Sequence, residues 1–316
     1  MEKLNNGQTV GAYIDAQITD IRERSQGGKI LLGLSGGVDS SVCAALISRA
    51  VGKRLTCVFV DHGLMRYNEG DEIVEAFKNW DINLIRVNAE NRFLAKLKDV
   101  IDPEQKRKII GAEFIRVFEE EARKVNADYF AQGTIYPDII ESKGIKSHHN
   151  VGGLPDDIKF KEIIEPIKLL YKPEVRAVGR VLGVADILVD RQPFPGPGLG
   201  VRVIGELTKE RLNCLSLADY IFRSEINNAG LGSELNQFFA VLTPIKAVGT
   251  MDGRRTYGNI IALRAVTTGD FMKADFARIP YEVLARAGER ITSEVRGVGR
   301  VVYDITPKPP GTIEWE

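Results

Sequence analysis

Residues 35–41 read Ser-Gly-Gly-Val-Asp-Ser-Ser and follow an apolar run, Lys-Ile-Leu-Leu-Gly-Leu, at 29–34. A short apolar run ending at a Gly-Gly step reads as a buried strand. The residues after it, 40–52, read as a helix closed by Gly52. In an α/β sheet, ligands bind beyond the carboxyl ends of the strands. A helix N-terminus offers unpaired N–H groups and the positive end of its dipole, so the place suits an anion. Gly36 and Gly37 let the backbone approach a phosphate, and Ser35, Ser40 and Ser41 add hydroxyl donors around Val38. Asp39 fits beside phosphates if a divalent cation bridges them, because Mg²⁺ takes one or two carboxylates plus phosphate oxygens. The plain alternative is a Gly-Gly turn capped by serines.

The loop lacks the GxxxxGK[ST] of a P-loop and the GxGxxG of a dinucleotide fold. Without a lysine for a terminal phosphate, it suits gripping a departing pyrophosphate. Chemistry would then fall on an α-phosphate, giving an adenylylated intermediate.

Around the loop, strands at 29–34, 54–61, 83–89 and 127–134 alternate with helices at 40–52, 68–80 and 102–125. The last helix starts with Asp102 as N-cap and Pro103 at its first position. A helix also precedes the first strand, and another covers 172–184. This alternation predicts a doubly wound parallel sheet. From 135 to 161 the periodicity stops, which reads as a lid loop. Residues 190–200, Asp-Arg-Gln-Pro-Phe-Pro-Gly-Pro-Gly-Leu-Gly, read as a linker. Beyond it, strands (the first at Gly-Val-Arg-Val-Ile-Gly, 200–205) mix with two helices, predicting a smaller α+β domain. The expected division is 1–189 and 190–316.

The 316 residues carry 43 basic and 43 acidic side chains, so no basic face announces a nucleic-acid partner. Cys43, Cys57 and Cys214 form no metal or disulfide spacing, which reads as a reducing cytoplasm. No apolar run reaches membrane-span length and no signal peptide is read, so no membrane partner is expected.

The 35–41 loop resembles the pyrophosphate motif of the N-type ATP pyrophosphatases. Further blocks are similar to GMP synthetases: Cys-Val-Phe-Val-Asp-His-Gly-Leu-Met-Arg-Tyr-Asn-Glu (57–69), Asp-Pro-Glu-Gln-Lys-Arg-Lys-Ile-Ile-Gly (102–111), Lys-Ser-His-His-Asn-Val-Gly-Gly-Leu-Pro (146–155) and the terminal Lys-Pro-Pro-Gly-Thr-Ile-Glu-Trp-Glu (308–316). The resemblance spans essentially the whole chain. It implies an adenine nucleotide alpha hydrolase-like sheet followed by a dimerisation domain. It implies a ligase that adenylylates O2 of XMP with ATP and Mg²⁺, then aminates C2 to give GMP, AMP and pyrophosphate. About thirty residues precede the first strand, and no cysteine has a glutaminase setting. The chain therefore resembles the separate synthetase subunit of a two-subunit enzyme, a homodimer fed with ammonia by a glutamine amidotransferase subunit.

The resemblance also implies roles. The 35–41 loop grips the β- and γ-phosphates, while Val60 and Gly133 wall the adenine pocket. Asp61 faces the nucleotide or a metal, or else caps its strand end. Asp138, Glu141, Lys143 and Lys146 are the catalytic acids and bases of the lid, or else ordinary loop charges. His148 and His149 lack a third ligand, so zinc is not expected. Arg107 contacts XMP, or lies on a solvated helix face between Lys106 and Lys108. Lys308, Thr312, Ile313 and Glu314 are the other XMP contacts. The rival readings are NAD synthetase, a tRNA-modifying enzyme of the same superfamily, and a non-catalytic nucleotide-binding regulator.

Overall fold

A computed structural model describes residues 3–144, 160–251, 253–269 and 272–316. It divides into two units. The first comprises Met1–Asp61, Gly70–Ala89 and Glu113–Arg191, and the second His62–Glu69, Glu90–Ala112 and Gln192–Glu316.

From the N-terminus the elements are α1 (Val10–Ser25), β1 (Ile30–Gly33), α2 (Val38–Val51), β2 (Leu55–Asp61), α3 (Glu69–Phe77), β3 (Asn83–Asn88), α4 (Glu90–Leu97), α5 (Pro103–Val125), β4 (Tyr129–Ala131), α6 (Tyr136–Gly144), β5 (Glu162–Ile164), α7 (Lys172–Leu182) and α8 (Asp186–Val189). The first unit is built on a parallel sheet in the order β3-β2-β1-β4-β5. This is the expected doubly wound architecture. Ile30, Leu31 and Leu32 of β1 are fully buried, as a central strand covered on both faces must be. Helices α1, α2 and α7 pack on one another. Gly33 accepts the Phe118 ring of α5 where a Cβ would stand 3.3 Å from it. Asp102 does cap α5, its Oδ1 accepting from the Gln105 N–H at 2.8 Å.

Three local readings change. The segment from 135, read as unpatterned loop, opens with α6. Pro137 sits in its first turn, and Asp138 Oδ2 accepts from the Ile135 N–H at 3.0 Å. Helix α4 and strand β5 go beyond the predicted elements; α4 buries only Phe93 and Leu97 and β5 has three residues, so neither gives a long pattern. Residues 200–205, read as a strand, instead continue a 3₁₀ turn over Gly198–Val201 and meet the sheet through one bridge, Val203 to Leu242. The alternation of Val201 and Val203 mimics a strand because both side chains are fully buried.

The second unit adds α9 (Lys209–Asn228), β6 (Gln237–Met251), β7 (Arg254–Thr267), β8 (Asp275–Phe276), α10 (Tyr281–Glu294) and β9 (Val298–Tyr303). Strands β6 and β7 form a long antiparallel pair; β8 joins β7 antiparallel and β9 joins it parallel. Helix α9 packs on β6 and on α10. One buried cluster joins Phe239, Val241, Ala262 and Val266 of the sheet to Ala274 and to Ile313 of the C-terminal segment. The 190–200 stretch is a packed turn. Gly198 has φ +62°, and a Cβ there would overlap the carbonyl oxygen of Leu64, which accepts from the Leu199 N–H at 2.7 Å.

Candidate active site

The 35–41 loop joins β1 to α2 as the sequence implies. Gly36 holds φ +74°, its carbonyl accepts from the Arg191 guanidinium, and a Cβ on it would overlap Ile73. Gly37 is the N-cap of α2 and contributes no side-chain cap. The serines shape the loop. Ser35 Oγ lies 3.1 Å from Ser40 Oγ, which accepts from the Ser35 N–H at 3.2 Å; Ser40 and Ser41 hydroxyls donate to the Gly37 carbonyl at 3.1 and 2.8 Å. Val38 is buried, while Asp39 is half-buried on the opening turn of the helix. Two features favour an anion with a counter-cation. Lys172, at the start of α7, places its ammonium 2.5 Å from Asp39 Oδ2. Oδ1 of Asp39 is buried and has no hydrogen-bond partner among the described residues. A buried carboxylate oxygen with no hydrogen-bond donor fits a ligand of Mg²⁺. Among the described residues no group of three or more His, Cys, Asp or Glu forms a metal cage, so a cation here would share its shell with phosphates.

Gly133, just past β4, lies against this turn: a Cβ on it would stand 3.0 Å from the Ser40 nitrogen and 3.1 Å from the Asp39 carbonyl carbon. Val60 is buried inside β2. Asp61 ends β2 and is held by Arg86, whose Nη2 donates to Oδ2 at 2.6 Å and whose other arm reaches Asp71 at 2.5 Å. Thus 35–41, Val60, Asp61 and Gly133 all belong to the carboxyl ends of three adjacent strands, the ordinary ligand edge of such a sheet. Sequence reasoning missed Lys172. It lies outside every loop motif, and only the packing of α7 on α2 brings it in.

Asp138 is on the first turn of α6, and Glu141 and Lys143 follow on the same helix. Lys146, His148 and His149 lie outside the described residues.

In the second unit Arg107 and the C-terminal segment come together. The Arg107 guanidinium donates to the backbone oxygen of Glu316 and to Glu104 Oε1 at 3.3 Å. Its neighbour Lys106 is fully buried; its ammonium lies 2.6 Å from Glu316 Oε2 and donates to the Val203 carbonyl at 2.8 Å. Desolvation pulls its pKa below the ordinary lysine value, against the pull of Glu316. Arg202 forks onto Glu314, with Nε to Oε2 at 3.0 Å and Nη2 to Oε1 at 2.7 Å. Arg264 donates to the carbonyls of Thr306 and Thr312 at 2.6 and 3.1 Å. Lys308 exchanges backbone hydrogen bonds with Ala274. A cleft of about 520 Å³ opens here, lined by Tyr303, Asp304, Thr306, Thr312, Glu314 and Trp315 among others. Thr312 and Glu314 face this space, whereas the Ile313 side chain is committed to the core. The buried arginines 202 and 264 were not legible as site residues.

The first unit thus has a parallel α/β fold with a glycine- and serine-rich loop at a strand end and a lysine paired to its aspartate. Residues 11–196, more than half the chain, match the family model described as NAD synthase, and the chain belongs to that family. Residues 224–315 match the GMP synthase C terminal domain. The chain is 61% identical over 320 residues to the GMP synthase (glutamine-hydrolyzing) of Finegoldia magna, covering 99% of this chain and 63% of that protein. The enzyme of the same description from Acetivibrio thermocellus is 62% identical over 314 residues, covering 97% and 61%. The chain therefore spans 61–63% of the length of these two curated relatives. Among solved structures, NMN synthetase from Francisella tularensis is similar with a TM-score of 0.48 at 16% identity, over 61% of this chain and 78% of that one.

Proposed function

We propose that this protein is the synthetase part of a GMP synthase, converting XMP to GMP with ATP and ammonia. One observation carries the reading: a phosphate loop with a lysine-paired Asp39 and a tail cleft lined by Thr312 and Glu314 occur in one chain. Identity of 61% to a GMP synthase over nearly all of this chain supports it. The functional division is 1–189, an ATP pyrophosphatase domain with a lid at 135–161, and 190–316, an XMP-binding and dimerisation domain.

In this reading Ser35, Gly36, Gly37, Val38, Ser40 and Ser41 hold the β- and γ-phosphates on the N-terminus of α2. Val60, Asp61 and Gly133 bound the nucleoside end. Lys172 offsets charge on the departing pyrophosphate. Mg²⁺ would be held by Asp39 and phosphate oxygens, and when bound it neutralises the pyrophosphate. Arg107 and Lys308 supply positive charge for the XMP phosphate; Thr312, the Ile313 backbone and Glu314 meet the rest of the nucleotide. O2 of XMP attacks the α-phosphorus and pyrophosphate leaves. Ammonia then attacks C2, and AMP leaves carrying O2. Asp138, Glu141, Lys143 and Lys146 handle protons and charge over the reacting centre. Asp138 uses one oxygen to cap α6, which leaves the other for this task.

Ammonia comes, in this proposal, from a separate glutamine amidotransferase subunit. Burial pushes the Cys43 thiol well up, Cys57 up to about 12 and Cys214 up to about 11, so the glutaminase step does not fall to these three cysteines. Free thiols also fit a cytoplasmic protein. No helix among the described residues is long and apolar enough to cross a membrane. The homodimer would use the β6–β7 hairpin, where cross-strand neighbours Val248 and Tyr257 are exposed together.

The test is incubation with ATP, Mg²⁺, XMP and ammonium, with AMP and GMP separated by chromatography. GMP and AMP in equal amounts support the reading. AMP formation with deamido-NAD in place of XMP transfers the assignment to NAD synthesis.

A further inference from the structure

We infer that Arg202 is a positioning residue for the acceptor site: it sets the rotamer and cancels the charge of Glu314. This rests on the reading that the tail cleft holds XMP. Arg202 is 1% exposed and makes a two-pronged contact with Glu314 through Nε and Nη2. Its guanidinium stacks 3.9 Å from the Phe239 ring centroid and lies 5.3 Å from that of Phe194. Its backbone is pinned too, the N–H donating to Leu199 and the carbonyl accepting from Leu242. Buried on an aromatic plate and fixed at both ends, it has little freedom left.

A general anchor for the tail is not what Arg202 adds. Ile313, next to Glu314, already sits in the core. Arg264 holds the Thr306 and Thr312 carbonyls before it, and Lys106 holds the Glu316 side chain after it. The polar side-chain contacts of Arg202 go to the Glu314 carboxylate and not to the tail backbone. Burying a guanidinium is costly, and here its Nη1 stays without a partner among the described residues. The return is a carboxylate at the cleft wall with one orientation, in an ion pair of no net charge. An unpaired carboxylate there would repel a nucleotide phosphate.

The test is a double-mutant cycle on XMP turnover, with Arg202→Lys, Glu314→Ala and the double variant. Lysine keeps the charge but cannot fork. Loss of uniform binding raises KM and leaves kcat. R202K should therefore raise KM for XMP about tenfold, one factor of the affinity scale, with kcat and KM for ATP nearly unchanged. In the E314A background R202K should change KM for XMP less than twofold, because its partner is gone. Glu314→Asp, which withdraws the carboxylate from the fork, gives a second cycle should R202K fail to fold: E314D alone should reproduce the rise in KM. Equal effects of R202K in both backgrounds, an equal rise in KM for ATP, or an unchanged KM for XMP in E314D would overturn the assignment while leaving the proposed reaction standing. A wild-type protein that turns over no XMP overturns both.

Discussion

Lys172 at the start of α7 and Asp39 on the first turn of α2 are 133 residues apart in sequence and 2.5 Å apart at their charged ends. The 35–41 loop has no lysine of its own, and this contact brings one to it. The pair is half-exposed, 45% for Lys172 and 25% for Asp39, so as an ion pair it contributes less than about 1 kcal/mol. Its weight lies in the field it sets at the helix N-terminus.

Lys172→Met should therefore lower kcat/KM for ATP by about a hundredfold, in the range of a lost electrostatic stabiliser, while thermal stability hardly moves. Lys172→Arg should recover part of the loss. Steady-state AMP release at saturating XMP, beside a melting curve, measures both.

Gly133→Ala tests the contact between the end of β4 and the 35–41 loop. The new methyl meets backbone atoms of Asp39 and Ser40 at 3.0–3.2 Å, which cannot swing aside as a side chain would. Overpacking of this kind costs about 1–3 kcal/mol. KM for ATP should rise, while KM for XMP stays near wild type.

Arg264→Met removes the donor to Thr306 and Thr312 and strands both carbonyls beside the Asp304 carboxylate, 3.3 Å from the guanidinium. Breaking a buried charged network from one side costs about 3–5 kcal/mol. Denaturant unfolding should show that loss, and KM for XMP should rise with it.

Acid should destabilise the protein partly through Asp304 and Glu225. Burial alone would raise the Asp304 pKa, but hydrogen bonds from Thr306, the charge of Arg264 and the Trp315 N–H hold it below its ordinary value. Glu225 is held down by hydrogen bonds from Arg290 and, against burial, from Arg286. A carboxyl with a depressed folded pKa stabilises fully above its unfolded value, 3.8 for Asp304 and 4.5 for Glu225. That stability drains as pH falls through the lower folded values. Melting temperature should hold from pH 7 to about pH 5 and then drop. Glu225→Gln should flatten the drop and lower the plateau.

Much of the first unit is legible in the sequence because its central strands are continuous apolar runs, and the start of α5 is legible from its cap, Asp102. The 35–41 segment is legible as a strand-to-helix turn for the same reason: its glycines and serines sit at a strand end. Contacts assembled from distant segments are not. Lys106 looks like one of three solvated charges in Lys-Arg-Lys, yet it is fully buried on Glu316. Arg202 sits in an alternating Val-Arg-Val that reads as a strand and is instead the exit of a 3₁₀ turn. Buried arginines give no periodic signal, since period reports apolar faces. Strand β5 has three residues at a sheet edge, too few to show one.

In the proposed reaction O2 of XMP attacks the α-phosphorus of ATP. The direct measurement uses XMP carrying ¹⁸O at O2, with ATP, Mg²⁺ and ammonium, and mass analysis of the products. Attack by O2 puts one ¹⁸O in the phosphate of AMP and none in pyrophosphate. Label in inorganic phosphate, or unlabelled AMP formed alongside GMP, would contradict it.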